Sequence, residues 1–170
     1  MINLTPQESA TWEQPIEMLF ACHGRVKRFC RQLRILPEYL QKNGVNQAVK
    51  NDVRQIITYF NVAAPLHHED EEKDFFPLLL KYAPQAQADI ETLERQHESL
   101  HENWAKLCVQ LEELLADQRG EISLELITAF TRGYDMHIPL EEPLFQMGKE
   151  LIPTEALRPI GKKMAQRRKA

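Results

Sequence analysis

A nine-residue pattern occurs twice in this chain and constrains it more than any other feature. Residues 67 to 75 read His67-x-x-x-Glu71-Glu72-x-x-Phe75, and residues 137 to 145 read His137-x-x-x-Glu141-Glu142-x-x-Phe145. Between the two copies lies His97-x-x-x-His101, and upstream stands the lone His23. Residues four apart share one face of an α-helix. If all four segments are helical, they present five imidazoles and two carboxylates to a common interior.

The intervening sequence supports four helices. Ile16, Leu19, Phe20, His23, Val26, Cys30 and Leu33 recur at steps of three and four, which is helical period. This predicts a first helix over about 13–36, with Thr11 as N-cap and Pro37 as the point where the helix kinks or restarts before Asn43-Gly44. A second helix is expected over 46–82, disturbed at Pro65, one turn before His67. A third spans 86–117 and carries His97 and His101 within the stripe formed by Ile90, Leu93, Leu100, Trp104 and Leu107. A fourth spans 122–150, made irregular by Pro139 and Pro143. Pro153 then breaks the chain, and Thr154 starts a short last helix. No strand pattern competes. The expectation is an all-α fold: a single domain over 1–170, built as an up-down-up-down four-helix bundle over about 13–150. A short C-terminal helix and a solvated basic tail follow at 154–170, and residues 1–11 form an irregular arm.

Composition narrows the function. Net charge is −4, from 21 basic and 25 acidic residues, so nothing suggests a nucleic-acid-binding face. No charged-then-apolar leader is apparent, and the longest uncharged stretch, residues 55–66, is too short and polar to span a bilayer. Cys22, Cys30 and Cys108 are odd in number and lack metal-site spacing, so they read as small buried apolar residues in a reducing, cytoplasmic compartment.

Two histidines one turn apart among leucines would be costly in a core without partners. A metal supplies partners for both. Five imidazoles and two carboxylates exceed the needs of one ion and suit two, bridged by the acids. With no thiolate set and no H-E-x-x-H, an N/O donor set of this kind points to iron. Phe75 and Phe145 end each stripe in an apolar group, which turns His67/Glu71 and His137/Glu141 inward. Repetition of the first motif favours Glu141 over Glu142. His68 and Glu72 lie about 100° away around the helix, which places His68 behind the ligands or at the surface.

These residues resemble the hemerythrin-like (HHE cation-binding) family over about residues 13–150. The family pattern is a lone His on the first helix, His-x-x-x-Glu on the second, His-x-x-x-His on the third, and His followed by an acid on the fourth. The resemblance implies that His97, His101 and His137 hold one iron, that His23 and His67 hold the other, and that Glu71 and Glu141 bridge. The second iron would keep a position open for O2 or NO. Oxygen-carrying members typically place Asp five residues after the fourth-helix His. This chain has Glu at four and at five, which is closer to the bacterial sensor and iron-repair branches. The expected function is a non-haem di-iron protein that binds or senses O2, NO or iron. The alternative is a di-iron redox enzyme, such as a peroxidase, an oxidase or an iron-centre repair protein. The ferritin-like oxidase pattern, Glu-x-x-His on two helices, is met only by Glu94/His97 and Glu98/His101 on one helix. Tyr134 and Ala64 stand at the corresponding positions before His137 and His67.

Overall fold

The computed structural model describes residues 11–169; the expected N-terminal arm lies outside them apart from Thr11. Helix α1 is Pro15–Asn43, α2 covers residues 47–82, α3 is Gln87–Leu115, α4 is Leu124–Leu151 and α5 is Thr154–Arg167. The first four pack in a ring: α4 lies against α1 and α3, and α2 closes the circle against α3 and α1. With short connections between successive helices this is the antiparallel four-helix arrangement. Among the described residues there is no strand.

α1 differs from expectation at both ends. Thr11 does not cap it; Gln14 is the N-cap and Pro15 occupies the first turn, where its missing N–H costs nothing. The helix also runs through Pro37 to Asn43. Leu33, Leu36 and Leu40 stay buried across that point, so packing on the core outweighs the lost ladder bond. Gly44 ends the helix at φ 69°, donating its N–H to Leu40 O at 2.8 Å; a left-handed residue of this kind is readily supplied by glycine. Asn46 then caps α2 by accepting from Val49 N at 2.9 Å. Likewise α4 runs unbroken through Pro139 and Pro143.

α2 is not a uniform helix. Two of its segments, Tyr59–Ala63 and Asp70–Phe75, are π-helical, separated by the α-helical Ala64–Glu69 and followed by Phe76–Tyr82. Each π segment is followed by a proline at the second residue of the next α piece, Pro65 and Pro77. A proline ring collides with the carbonyl four residues back in an α-helix; widening the turn moves that carbonyl aside. Such segments frequently mark functional sites.

Two apolar clusters fill the bundle, one above and one below a polar layer. The larger includes Val26, Phe29, Leu33, Phe60, Leu107 and Phe130. The smaller includes Ile16, Leu19, Phe75, Leu79, Leu93 and Phe145. On every bundle helix the buried His and Glu residues fall where one cluster gives way to the other. α5 lies across α1 and the second π segment. Gly161 makes that docking possible, because a Cβ there would sit 2.0 Å from the carbonyl oxygen of Trp12.

Candidate metal centre

Two carboxylates, Glu71 from α2 and Glu141 from α4, lie at the centre of the polar layer, both fully buried. Four imidazoles surround them. His67 Nε2 is 3.0 Å and His97 Nε2 3.6 Å from Glu71 Oε1. His23 Nε2 is 2.8 Å and His137 Nε2 3.3 Å from Glu141 Oε1. Ligand atoms fall into two groups, each within 4.8 Å: His23, His67, Glu71 and Glu141, and then His97, His137, Glu71 and Glu141. Both acids belong to both groups, so each is placed to reach across two positions. Glu141 faces the centre, and Glu142, half-buried, accepts from His23 Nδ1 at 3.1 Å.

The outer nitrogens are held in the manner of metal-ligating histidines. His97 Nδ1–H donates to Glu72 Oε1 at 2.7 Å, and His137 Nδ1–H donates to Gln96 Oε1 at 2.8 Å. With the proton fixed on Nδ1, the Nε2 lone pair is aimed inward. Glu72, Gln96 and Glu142 were not singled out from the sequence as anchors. They sit on the same helices as the inner residues, one position from Glu71, His97 and Glu141, and only the packing distinguishes them.

Six buried polar atoms in this layer have no hydrogen-bond partner: His67 Nε2, both oxygens of Glu71, His97 Nε2, His137 Nε2 and Glu141 Oε2. They crowd one another without hydrogen-bond geometry. Leaving such atoms unsatisfied costs roughly 1–3 kcal/mol each. Cations between them would satisfy all six, so the donor set fits a metal pair. Electrostatics agree. Burial, then the nearby charge of Glu141, pushes the Glu71 carboxyl well above its ordinary range. Burial would also raise Glu141, but its contacts with Glu71, His137 and His23 outweigh this and hold it well below. Burial drives His67 strongly toward the neutral form, the state a metal ligand requires.

Two histidines stand differently from the sequence expectation. His101 is exposed and belongs to neither group; its Nε2 meets His68 Nδ1 at 3.0 Å. His68 is buried and lies flat on His97, with ring centroids 3.9 Å apart and planes at 15°. For His68 the π segments on either side of Ala64–Glu69 matter: a constant 100° step sends His68 away from His67, but widened turns break that constant step, and both are buried. His101 falls outside the buried stripe of α3, which runs through Leu93, His97, Leu100 and Trp104.

The basic tail is solvated only in part: Lys169 is exposed, while the guanidinium groups of Arg167 and Arg168 are tied to the bundle. Arg167 and Arg168 both bond Asp70, at 2.6 Å and 2.8 Å, and Arg167 also bonds Asp74 at 2.8 Å. The Arg168 guanidinium stands 4.4 Å above the Trp12 ring. Beneath it a small cavity of about 60 Å³ is lined by Cys22, Arg25, His67, Asp70 and Arg168.

Comparison with known proteins places the chain. A family model described as the hemerythrin HHE cation binding domain matches residues 14–147. The chain belongs to the hemerythrin HHE family. An uncharacterized protein of Haemophilus influenzae is 62% identical over 165 residues, which cover 97% of this chain and 96% of that protein. Cation binding in a helical bundle is thus the property of the family that the buried His/Glu layer serves. No helix among the described residues is long and apolar enough to cross a membrane.

Proposed function

We propose that this HHE domain holds two iron ions between α1, α2, α3 and α4 and uses them to bind or sense O2 or NO. His23 and His67 would hold one ion, His97 and His137 the other, and Glu71 and Glu141 would bridge. The observation that carries this reading is the sharing of both buried carboxylates by two histidine pairs whose inner nitrogens have no other partner. The nitrogen and oxygen donors, without thiolate, suit iron. When bound, such a pair supplies redox-active positions for a small diatomic ligand. The chain's own part is to fix the imidazoles through Glu72, Gln96 and Glu142, and to exclude bulk water by the two apolar clusters.

A redox role is favoured by one further observation. The Cys22 thiol lies 2.6 Å from the Tyr59 hydroxyl beside the cavity that reaches His67. Both groups are oxidisable, and burial raises both: Cys22 to about 11, Tyr59 above its ordinary range.

Metal content with an optical spectrum tests the proposal, on protein reduced anaerobically and then exposed to air. At least two irons per chain with a reversible visible band are expected for ligand binding. Two irons that oxidise irreversibly favour the redox reading. Failure to take up iron after anaerobic reconstitution removes both.

A further inference from the structure

His68 and His101 meet outside the centre. Their facing nitrogens are 3.0 Å apart with ring planes nearly perpendicular, at 88°. His68 is anchored, 5% exposed and stacked on His97, while His101 stands at the surface of α3. The pair borders an open cleft of about 300 Å³ between α2 and α3. Glu69, Glu72, Glu94 and Glu98 line it, and no lysine or arginine does. Glu94 and Glu98 make no ion pair among the described residues. Glu94, Glu98 and His101 follow one another at four and three residues on α3, so they share its outer face. An imidazole nitrogen sits about 2.0–2.1 Å from a borderline divalent ion, so two such ligands at right angles lie ~3.0 Å apart. In the metal-free chain the two nitrogens share a hydrogen bond; its length is close to the spacing of a cis pair, so an ion can take the place of the shared proton.

We propose that His68 and His101, with the carboxylates of Glu72 and Glu98, form a separate divalent-cation site at the mouth of this cleft, from which metal passes to the buried centre. The site takes an ion that accepts both nitrogen and oxygen, such as Fe(II), Co(II) or Zn(II), rather than Mg(II) or Ca(II). Its position gives it a second use. His68 rests on His97, an inner residue of the centre, and Glu72 is the anchor of His97 Nδ1. An ion held here is one side chain away from the buried layer. Glu69 is paired with Lys73 and Arg167, so the carboxylates of Glu94 and Glu98, unpaired among the described residues, are the ones that concentrate cations at the opening. This route rests on the dinuclear reading above, whereas the outer site itself does not.

Anaerobic titration of metal-free protein with Co(II), followed by visible absorption and equilibrium dialysis, tests both parts. Wild type is expected to take up three ions per chain. His101→Ala should hold two, with unchanged helical content and at least tenfold slower filling of the buried pair. Glu71→Ala should keep the outer ion, and that ion should disappear when His101→Ala is added. Equal counts and equal filling rates in wild type and His101→Ala would overturn the proposal. Fewer than two ions in His101→Ala would also overturn it, because His101 would then belong to the centre itself. An unchanged count in Glu71→Ala would instead overturn the dinuclear reading, leaving the outer site to be decided by His101→Ala alone.

Discussion

The two sides of the polar layer are built from similar parts and closed in opposite ways. On the His23/His67 side, α5 lies over the bundle, Arg167 and Arg168 clamp Asp70 and Asp74, and only about 60 Å³ of space remains beside His67. On the His97/His137 side, a cleft of about 300 Å³ opens to solvent and is lined by acids. Charge differs as sharply as volume: Arg25 and Arg168 face the closed cavity, while no lysine or arginine lines the open one. A nearly symmetric ligand set thus sits in an asymmetric enclosure. The acidic opening suits the arrival of cations, and the plugged side suits a small ligand that must be kept from bulk water.

The comparison can be broken first at the ligands. Replacing Glu71 or Glu141 with Ala should abolish stable binding at both positions of the proposed buried pair, because both groups of ligand atoms share these carboxylates. His23→Ala and His97→Ala should each lose one ion relative to wild type, measured by elemental analysis after gel filtration. Wild-type metal content in either variant would remove that histidine from the centre.

The closed side is sharpened by replacing Arg167 and Arg168 together with Ala. Asp70, 1% exposed, would lose its guanidinium partners. Stripping a buried ion pair of one partner costs about 3–5 kcal/mol, and the partly exposed arginines reduce this to roughly 2–3 kcal/mol. Thermal unfolding should shift down by about 5–10 °C, and azide should bind the loaded protein faster. An unchanged azide on-rate would show that α5 does not limit access.

The open side should respond less. Glu94→Gln combined with Glu98→Gln should slow metal uptake several-fold and reduce its dependence on salt, with stability unchanged within about 0.5 kcal/mol. Equal uptake at low ionic strength would argue against steering by the cleft.

The smallest effect concerns the thiols. Burial pushes Cys30 to about 12 and Cys108 to about 11, so the folded state keeps protons that an unfolded thiol releases above its ordinary value of 9.0. Their contribution is complete below pH 9 and is lost as pH rises through about 11 for Cys108 and about 12 for Cys30. Native protein should resist alkylation at pH 8 and react fully after unfolding; rapid native labelling would contradict the burial.

Much of this was legible in the sequence because helical period and metal-ligand spacing are both written in steps of three and four. The four bundle helices and the inward direction of His23, His67, Glu71, His97, His137 and Glu141 follow from that period. His68 does not, because π segments on α2 add residues to the turn and change the register around it, and His101 does not, because the buried stripe of α3 runs through Leu93, His97, Leu100 and Trp104 and leaves it outside. Pro65 signalled the first widened segment, and Pro77 was an equal signal for the second. The clasp between Arg167, Arg168 and Asp70 could not be read locally. A basic tail looks the same whether it meets water or an acid on a helix almost a hundred residues earlier. Pro37, conversely, looked like a break and is not one, because Leu36 and Leu40 remain in the core.

The stacking of Arg168 on Trp12 has a practical consequence. The chain carries two indoles, and they lie on opposite sides of the polar layer: Trp104 in the larger apolar cluster, donating to Asn61 at 2.9 Å, and Trp12 against the smaller one. Each is therefore an intrinsic fluorophore looking at the same buried layer from a different end. Emission from Trp12 follows the seating of α5, and emission from Trp104 follows the α2–α3 contact. A pair of single-tryptophan variants would let one cuvette record lid motion and core filling as separate signals.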